Sequence, residues 1–115
     1  MLNESIIKTV LNKIINLSKE EKLLIITDRV KKHLAEDFFI YTTNNNYNVK
    51  LLLIPELQHN GEEPSKETAK DMLNSQVIIM LTNKSLSHTE ARRKATEKGA
   101  RIISGPGITK EILNR

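Results

Sequence analysis

The sequence predicts an α/β fold, a single domain over residues 1–115 with a four-stranded parallel sheet and helices on both faces. Four short apolar runs are typical of strands that are buried on both sides of a sheet. The segments between them place apolar residues at helical spacing, so strands and helices alternate in βαβαβαβ order. This alternation calls for parallel strands joined by right-handed crossovers.

The first element is an amphipathic helix over about Asn3 to Leu17. Its apolar residues recur as neighbouring pairs four apart, which gathers them on one side of the helix. They are Ile6, Ile7, Val10, Leu11, Ile14 and Ile15. We expect this side to pack against the sheet. The alternative is an interaction domain that uses the helix to bind a partner protein, which requires an exposed stripe at Ile7, Leu11 and Ile14.

The first strand, Leu23 to Thr27, is a nearly uninterrupted apolar run that ends at Asp28. A helix is expected from about Arg29 to Thr43, because apolar residues follow at a spacing of four. They are Val30, Leu34 and Phe38. The second strand is Val49 to Pro55, closed by a proline that cannot donate to a ladder.

A polar loop, ELQHNGEEPS, follows the second strand, and Pro64 leads into the helix SKETAKDMLNS. The third and fourth strands are Val77 to Leu81 and Ala100 to Ser104. Between them we expect a helix near Thr89 to Lys98. A turn at Gly105-Pro106-Gly107 precedes a short last helix, from about Thr109 to Leu113.

The start of the helix near Thr89 carries a capping signal. Ser87 is followed three residues later by Glu90, which predicts a capping box. In that motif the serine oxygen accepts a backbone N–H, and the glutamate reaches back to another.

Composition limits the function classes. At 115 residues the chain is one ordinary domain that can bury a sizeable core. The lack of cysteine excludes disulfides, thiolate nucleophiles and cysteine-ligated zinc, and it suits a reducing cytoplasm. No run approaches the roughly 20 apolar residues of a membrane helix, and the N-terminus does not resemble a secretory leader. We therefore expect a cytoplasmic protein without a membrane partner.

The net charge of +4 comes from acids and bases that are interleaved along the chain. There is no basic arm, and only two tyrosines and two phenylalanines could stack on bases. The sequence therefore predicts that nucleic acid is not a partner.

The candidate ligand site follows from the predicted topology. In a Rossmann-like sheet with flavodoxin-like strand order, ligands bind where the order reverses, between the first and third strands. A helix start at this edge favours an anion, because its N–H groups are free. The candidate ligand-binding residues are Asp28, Ser85, Ser87, His88, Thr89 and Arg92. Each also has a structural explanation: Asp28 and Ser87 could simply cap helices, and His88 and Arg92 could lie in solvent.

Other chemistries lack their motifs. The Gly-Pro-Gly turn is missing the third glycine of a dinucleotide fingerprint, and there is no phosphate loop, HExxH or GxSxG. His33, His59 and His88 are isolated, and His59 with Glu62 and Glu63 is the only local cluster that resembles a ligand set. We assign no catalytic residue and no metal ligand to this chain.

Three segments, LIITD, HNGEEP and VIIMLTNKSLSHTEARRKATEKGARIISGPGITKEIL, resemble the amino-terminal domain of the aminopeptidase T family. These are leucyl aminopeptidase-like metallo-exopeptidases that also include dihydroxypyridine dioxygenase relatives. The likeness extends from about Lys22 and rests mainly on SLSHT with Ala91-Arg92, then Gly99-Ala100-Arg101 and Pro106-Gly107-Ile108-Thr109. Departures from the family pattern occur at Ser65 and at Ser104-Gly105.

The resemblance implies a Rossmann-like first domain followed by a larger one that binds two divalent metal ions. These 115 residues lack that metal-binding half, so the resemblance transfers no catalytic residue and no metal cofactor to this chain. It implies a non-catalytic domain that shapes the substrate cleft and subunit contacts and is inactive alone. Its partner would be the missing catalytic domain, and a homo-oligomer stays open. The alternatives are a free-standing module that binds a small anion or nucleotide, and the interaction domain above.

Overall fold

The computed structural model describes residues 3–105, and its centre is a single sheet of four strands. They are β1 (Lys22–Thr27), β2 (Asn48–Leu53), β3 (Val77–Leu81) and β4 (Arg101–Ser104). All pairings are parallel, in the order β2-β1-β3-β4. This confirms the predicted α/β class with a Rossmann-like or flavodoxin-like sheet, and it makes β1 and β3 the central strands.

Helical segments connect the strands and cover both faces of the sheet. They are α1 (Glu4–Thr9), a π-helical segment (Val10–Ile14), α2 (Lys32–Asn44), α3 (Lys66–Leu73) and α4 (Glu90–Glu97). The predicted last helix, and Pro106 onwards in the Gly-Pro-Gly turn, lie outside the described residues. Within residues 3–105, no helix has the length and apolar character needed to cross a bilayer.

Successive residues of β1 and β3 point to opposite faces, so the sheet has a core on each side. On one face, Ile25 and Ile79 pack in a cluster with Phe38 of α2 and with the first helical segments. On the other face, Ile26 and Ile78 pack in a cluster with residues of α3 and α4, namely Met72, Ala91 and Ala95. The central strands are therefore buried on both faces, as parallel strands usually are.

The first helix packs on this sheet, so the alternative of an exposed apolar stripe is wrong. Ile7 and Leu11 are 2% and 1% exposed and belong to the core. The predicted single helix also changes type midway, where the Ile15 N–H donates to the Val10 carbonyl, five residues back (2.9 Å). In a regular α-helix Ile15 would point about 140° away from Val10, at about 100° per residue. The wider turn brings Ile15 into the core and leaves Ile14 only partly buried.

At the amino end of the sheet, Arg101 joins β4 to the segment before β1. Its guanidinium donates to both carboxylate oxygens of Glu21 (2.7 and 2.8 Å) and to the carbonyls of Ile15 and Asn16 (both 3.0 Å). These Arg101 bonds, aided by the Ser18 N–H, lower the pKa of Glu21 to about 2. Hydrogen bonding to Glu21 in turn raises the pKa of Arg101.

Candidate functional site

The carboxyl ends of β1 and β3 lie side by side, and the candidate residues were placed around this edge of the sheet. Thr27 pairs in register with Leu81, and the Thr27 hydroxyl donates to the Leu81 carbonyl (2.7 Å). Asp28 and the loop from Thr82 to Thr89 are therefore adjacent, as the flavodoxin-like strand order implies. We call this edge, with the loops that follow the strands, the carboxyl rim.

Asp28 is fully buried at this rim. Its Oδ1 accepts the N–H groups of Val30 (3.1 Å) and Lys31 (3.0 Å), and its Oδ2 accepts the Asn83 N–H (2.7 Å). The helix that follows begins at Lys32, later than predicted, because this turn comes first. Asp28 therefore fixes the start of α2 and ties it to the loop after β3.

The start of α4 differs from the predicted capping box, which is wrong. Thr89 is the N-cap, and its hydroxyl accepts the Arg92 N–H (3.1 Å). Ser87 instead donates its backbone N–H to the Ser85 hydroxyl (3.0 Å). The Glu90 carboxylate pairs with Arg93 (2.7 Å). These Arg93 hydrogen bonds lower the pKa of Glu90, and the same contact raises the pKa of Arg93.

A carboxylate of the chain itself lies at this helix start, where the sequence suggests an external anion. Glu63 accepts the N–H groups of Glu90 (2.7 Å) and Ala91 (3.2 Å). A negative charge is favoured there by the free amides and the helix dipole. Sequence reasoning missed this contact, since the partners are 27 and 28 residues apart. The available signal was an acidic loop after β2, which a parallel sheet brings to the same rim.

The histidine and glutamates of that loop do not converge on one point. Glu62 accepts the Gln58 N–H (2.6 Å), and Nδ1 of His59 lies 3.1 Å from the Asn60 carbonyl oxygen. Across residues 3–105 there is no group of three or more His, Cys, Asp or Glu side chains that could hold a metal ion. The described residues therefore do not fit the metal ions implied by the resemblance, and we assign no metal-dependent step to them.

An open cavity of about 340 Å³ lies at the rim, between the loops that follow β2 and β3. The loops are tied together because the Ser85 N–H donates to Oδ1 of Asn60 (2.8 Å) and the Gly61 N–H donates to the Ser85 carbonyl (2.9 Å). The described residues that line the cavity are Asn60, Met80, Thr82, Asn83, Ser85, Leu86, His88 and Ser104.

Two of the six candidate residues, Ser85 and His88, line this cavity. Asp28 does not line the cavity but accepts the N–H of Asn83, which does. Thr89 is buried and serves as the N-cap of α4. Ser87 and Arg92 are not among the described lining residues. The Arg92 Nε is buried and has no hydrogen-bond partner within residues 3–105.

Sequence reasoning missed four polar lining residues: Asn60, Thr82, Asn83 and Ser104. A signal existed for three of them. Thr82 and Asn83 directly follow β3, and Ser104 is the last residue of β4. The carboxyl ends of parallel strands share one edge of the sheet, so residues at these positions gather there.

No family model matches the sequence, and no curated protein matches it. Among solved structures, the chain is similar to 2,5-dihydroxypyridine dioxygenase from Pseudomonas putida KT2440, with a TM-score of 0.68 and 10% sequence identity. The match covers 88% of this chain and 33% of the dioxygenase chain, so this chain spans about a third of its length. At this identity the similarity shows the fold alone.

Proposed function

We propose that this chain is the non-catalytic amino-terminal domain of an aminopeptidase T-like metallo-exopeptidase, and that its carboxyl rim forms one wall of the substrate cleft. The observation that carries the proposal is the fixed rim beside an open cavity. Buried Asp28 and the Glu63 carboxylate hold the loops by hydrogen bonds to backbone N–H groups. A wall built in this way keeps its shape before substrate arrives, which lowers the ordering cost of binding.

The similarity to the dioxygenase bears only on the fold of the proposed domain, because the two chains are 10% identical. The resemblance in the SLSHT segment and the residues after it supplies the family. The chemistry of the dioxygenase is not transferred to this chain, since the family is proposed from the sequence motifs and not from that enzyme's activity.

The catalytic test uses the chain alone. We expect no release of amino acids from peptide amides when cobalt, zinc or magnesium is added, because the two ions are expected to bind in a second domain. Turnover that a chelator abolishes would contradict the proposal. A positive test is the reading frame beyond Arg115, where we expect a continuation rich in acidic and histidine clusters.

The second candidate is a free-standing module that binds a small anion or nucleotide at the start of α4. It is favoured by the Arg92 Nε, which is buried and has no partner within residues 3–105. It is disfavoured by Glu63, which already occupies two of the helix-start amides. A ligand at 100 times its dissociation constant would add roughly 2.7 kcal/mol to the stability. Thermal stabilisation by phosphate or nucleotides that is lost in both His88→Ala and Arg92→Ala would favour this candidate.

A further inference from the structure

The cavity at the rim is lined by asparagines whose hydrogen-bonding capacity is only half used. Oδ1 of Asn60 accepts the Ser85 N–H (2.8 Å), so its amide orientation is fixed and its NH₂ group has no partner among residues 3–105. Asn83 is held through the other end of its amide. Its Nδ2 donates to Glu56 (3.3 Å), which leaves its Oδ1 as an unused acceptor. One asparagine therefore offers donors and the other offers an acceptor.

The other lining residues carry hydroxyl or apolar side chains, apart from the exposed imidazole of His88. The Ser104 hydroxyl has no hydrogen-bond partner within the described chain. Met80 and Leu86 lie at the base of the cavity but are only 2% and 1% exposed, so they offer little apolar surface. No Lys, Arg, Asp or Glu is among the described lining residues. An oxyanion would find donors here, but it would also meet the Asn83 oxygen and no fixed positive charge. A neutral group with both a donor and an acceptor matches the unused groups of the two asparagines, which are both exposed.

We propose that this cavity binds an uncharged amide, either a carboxamide or the peptide group of a substrate. The amide carbonyl would accept from the Asn60 NH₂ and the Ser104 hydroxyl, and its N–H would donate to Asn83 Oδ1. The volume of about 340 Å³ is at the lower end of the range for ligand pockets, which suits a group the size of one residue. The choice of a peptide as the natural carrier rests on the proposed function, whereas the preference for an amide rests on the cavity alone.

The test is a titration of the ¹⁵N-labelled 115-residue chain with N-acetylglycinamide, followed by NMR. We expect saturable shifts in the backbone signals of Asn60, Asn83 and Ser85. Acetate and inorganic phosphate at the same concentrations probe the oxyanion alternative, and we expect no saturable shifts from either. Shifts that do not saturate with the amide, or equal responses to acetate or phosphate, would overturn the proposal.

Two variants locate the interaction. Asn60→Asp keeps an oxygen for the Ser85 N–H but replaces the NH₂ donors with a second oxygen, so amide affinity should fall about tenfold or more, corresponding to about 1.4 kcal/mol. Asn12→Asp makes the same charge change at an exposed position in the π-helical segment, away from the cavity, and should leave the affinity unchanged. If Asn60→Asp fails to fold, Ser104→Ala serves instead, because that hydroxyl has no described partner to lose. We expect it to weaken binding about threefold or more. Unchanged affinity in whichever of these two variants is used would overturn the proposal.

The outcome separates the two proposals. Amide binding by a chain that itself hydrolyses peptides would uphold this site and refute the supporting role. A chain that neither hydrolyses nor binds amides would refute the site and leave the supporting role standing.

Discussion

The two ends of the parallel sheet are tied by carboxylates in opposite ways. At the carboxyl rim, Asp28 is fully buried and both of its carboxylate oxygens accept backbone N–H groups. At the amino end, Glu21 pairs with Arg101, whose side chain is 45% exposed. A buried carboxylate is tolerated only when its oxygens are satisfied, so it defines one geometry. An exposed ion pair competes with water and contributes little.

This difference indicates that the carboxyl rim is held more rigidly than the amino end of the sheet. Asp28 joins the turn before α2 to the loop after β3, which borders the cavity, whereas the exposed pair holds the segment before β1 against β4. We expect substitutions at the carboxyl rim to lower the free energy of unfolding more than substitutions at the amino end.

The largest expected effect comes from removing the Asp28 carboxylate. Asp28→Ala leaves the N–H groups of Val30, Lys31 and Asn83 without their acceptor and should lower the free energy of unfolding by about 3 to 4 kcal/mol. Chemical denaturation of the purified variant measures this. A loss below about 1 kcal/mol would mean that water satisfies these groups and that the rim is not fixed by Asp28.

Asp28→Asn is the matched variant. Its amide oxygen can still accept at the start of α2, but its NH₂ group would face the Asn83 N–H, so only the bond between the loops is lost. We expect about 2 kcal/mol of destabilisation, with NMR shifts concentrated in the loop from Thr82 to Thr89. Shifts concentrated instead at the start of α2 would contradict this division of roles.

A smaller effect tests the start of α4. Thr89→Ala removes the N-cap and should cost about 1 kcal/mol, whereas Ser87→Ala should leave stability nearly unchanged. Thermal unfolding of both variants side by side provides the comparison. The reverse ranking would restore Ser87 as the cap.

The smallest effect is at the amino end and depends on pH. The folded pKa of Glu21, about 2, lies below the ordinary value of 4.5, so its contribution is present above pH 4.5 and is lost as pH falls toward 2. The full shift would correspond to about 3 kcal/mol, but solvent screening of the exposed Arg101 reduces it to about 1 kcal/mol or less.

Glu21→Gln is the control for this pH dependence. Urea denaturation should show the natural chain more stable at neutral pH and equal to the variant near pH 2. A difference that does not change with pH would assign the effect to packing instead of charge.

The sequence predicted the sheet better than the helix ends. Val77 to Leu81 has the predicted bounds, and the other strands differ by one or two residues, because continuous apolar runs leave few alternatives. α2 begins three residues later than predicted because residues 29–31 form a turn, in which Asp28 accepts the N–H groups of Val30 and Lys31. The bounds of α4 were predicted to within one residue, but its cap is Thr89 and not Ser87, because two hydroxyl residues compete for one cap and spacing alone does not choose between them.

The site was predicted only in part because its contacts are distant along the chain. Adjacency of Asp28 and the loop after β3 followed from strand order, and two cavity residues were named in advance. Glu63 and Asn60 reach the same rim from a loop more than 20 residues earlier. Their side-chain bonds depend on how that loop folds back, which local periodicity does not encode.

The wide turn at Val10–Ile14 also sets how this segment can change in length. It adds one residue while keeping Ile15 inward, and the added length is taken up at Asn12 and Lys13, which are exposed. Removing one of them would allow an ordinary α-helix with the same side chain facing inward, since a residue four positions after Val10 lies only about 40° from it. Homologous chains that differ by one residue here could therefore keep identical cores.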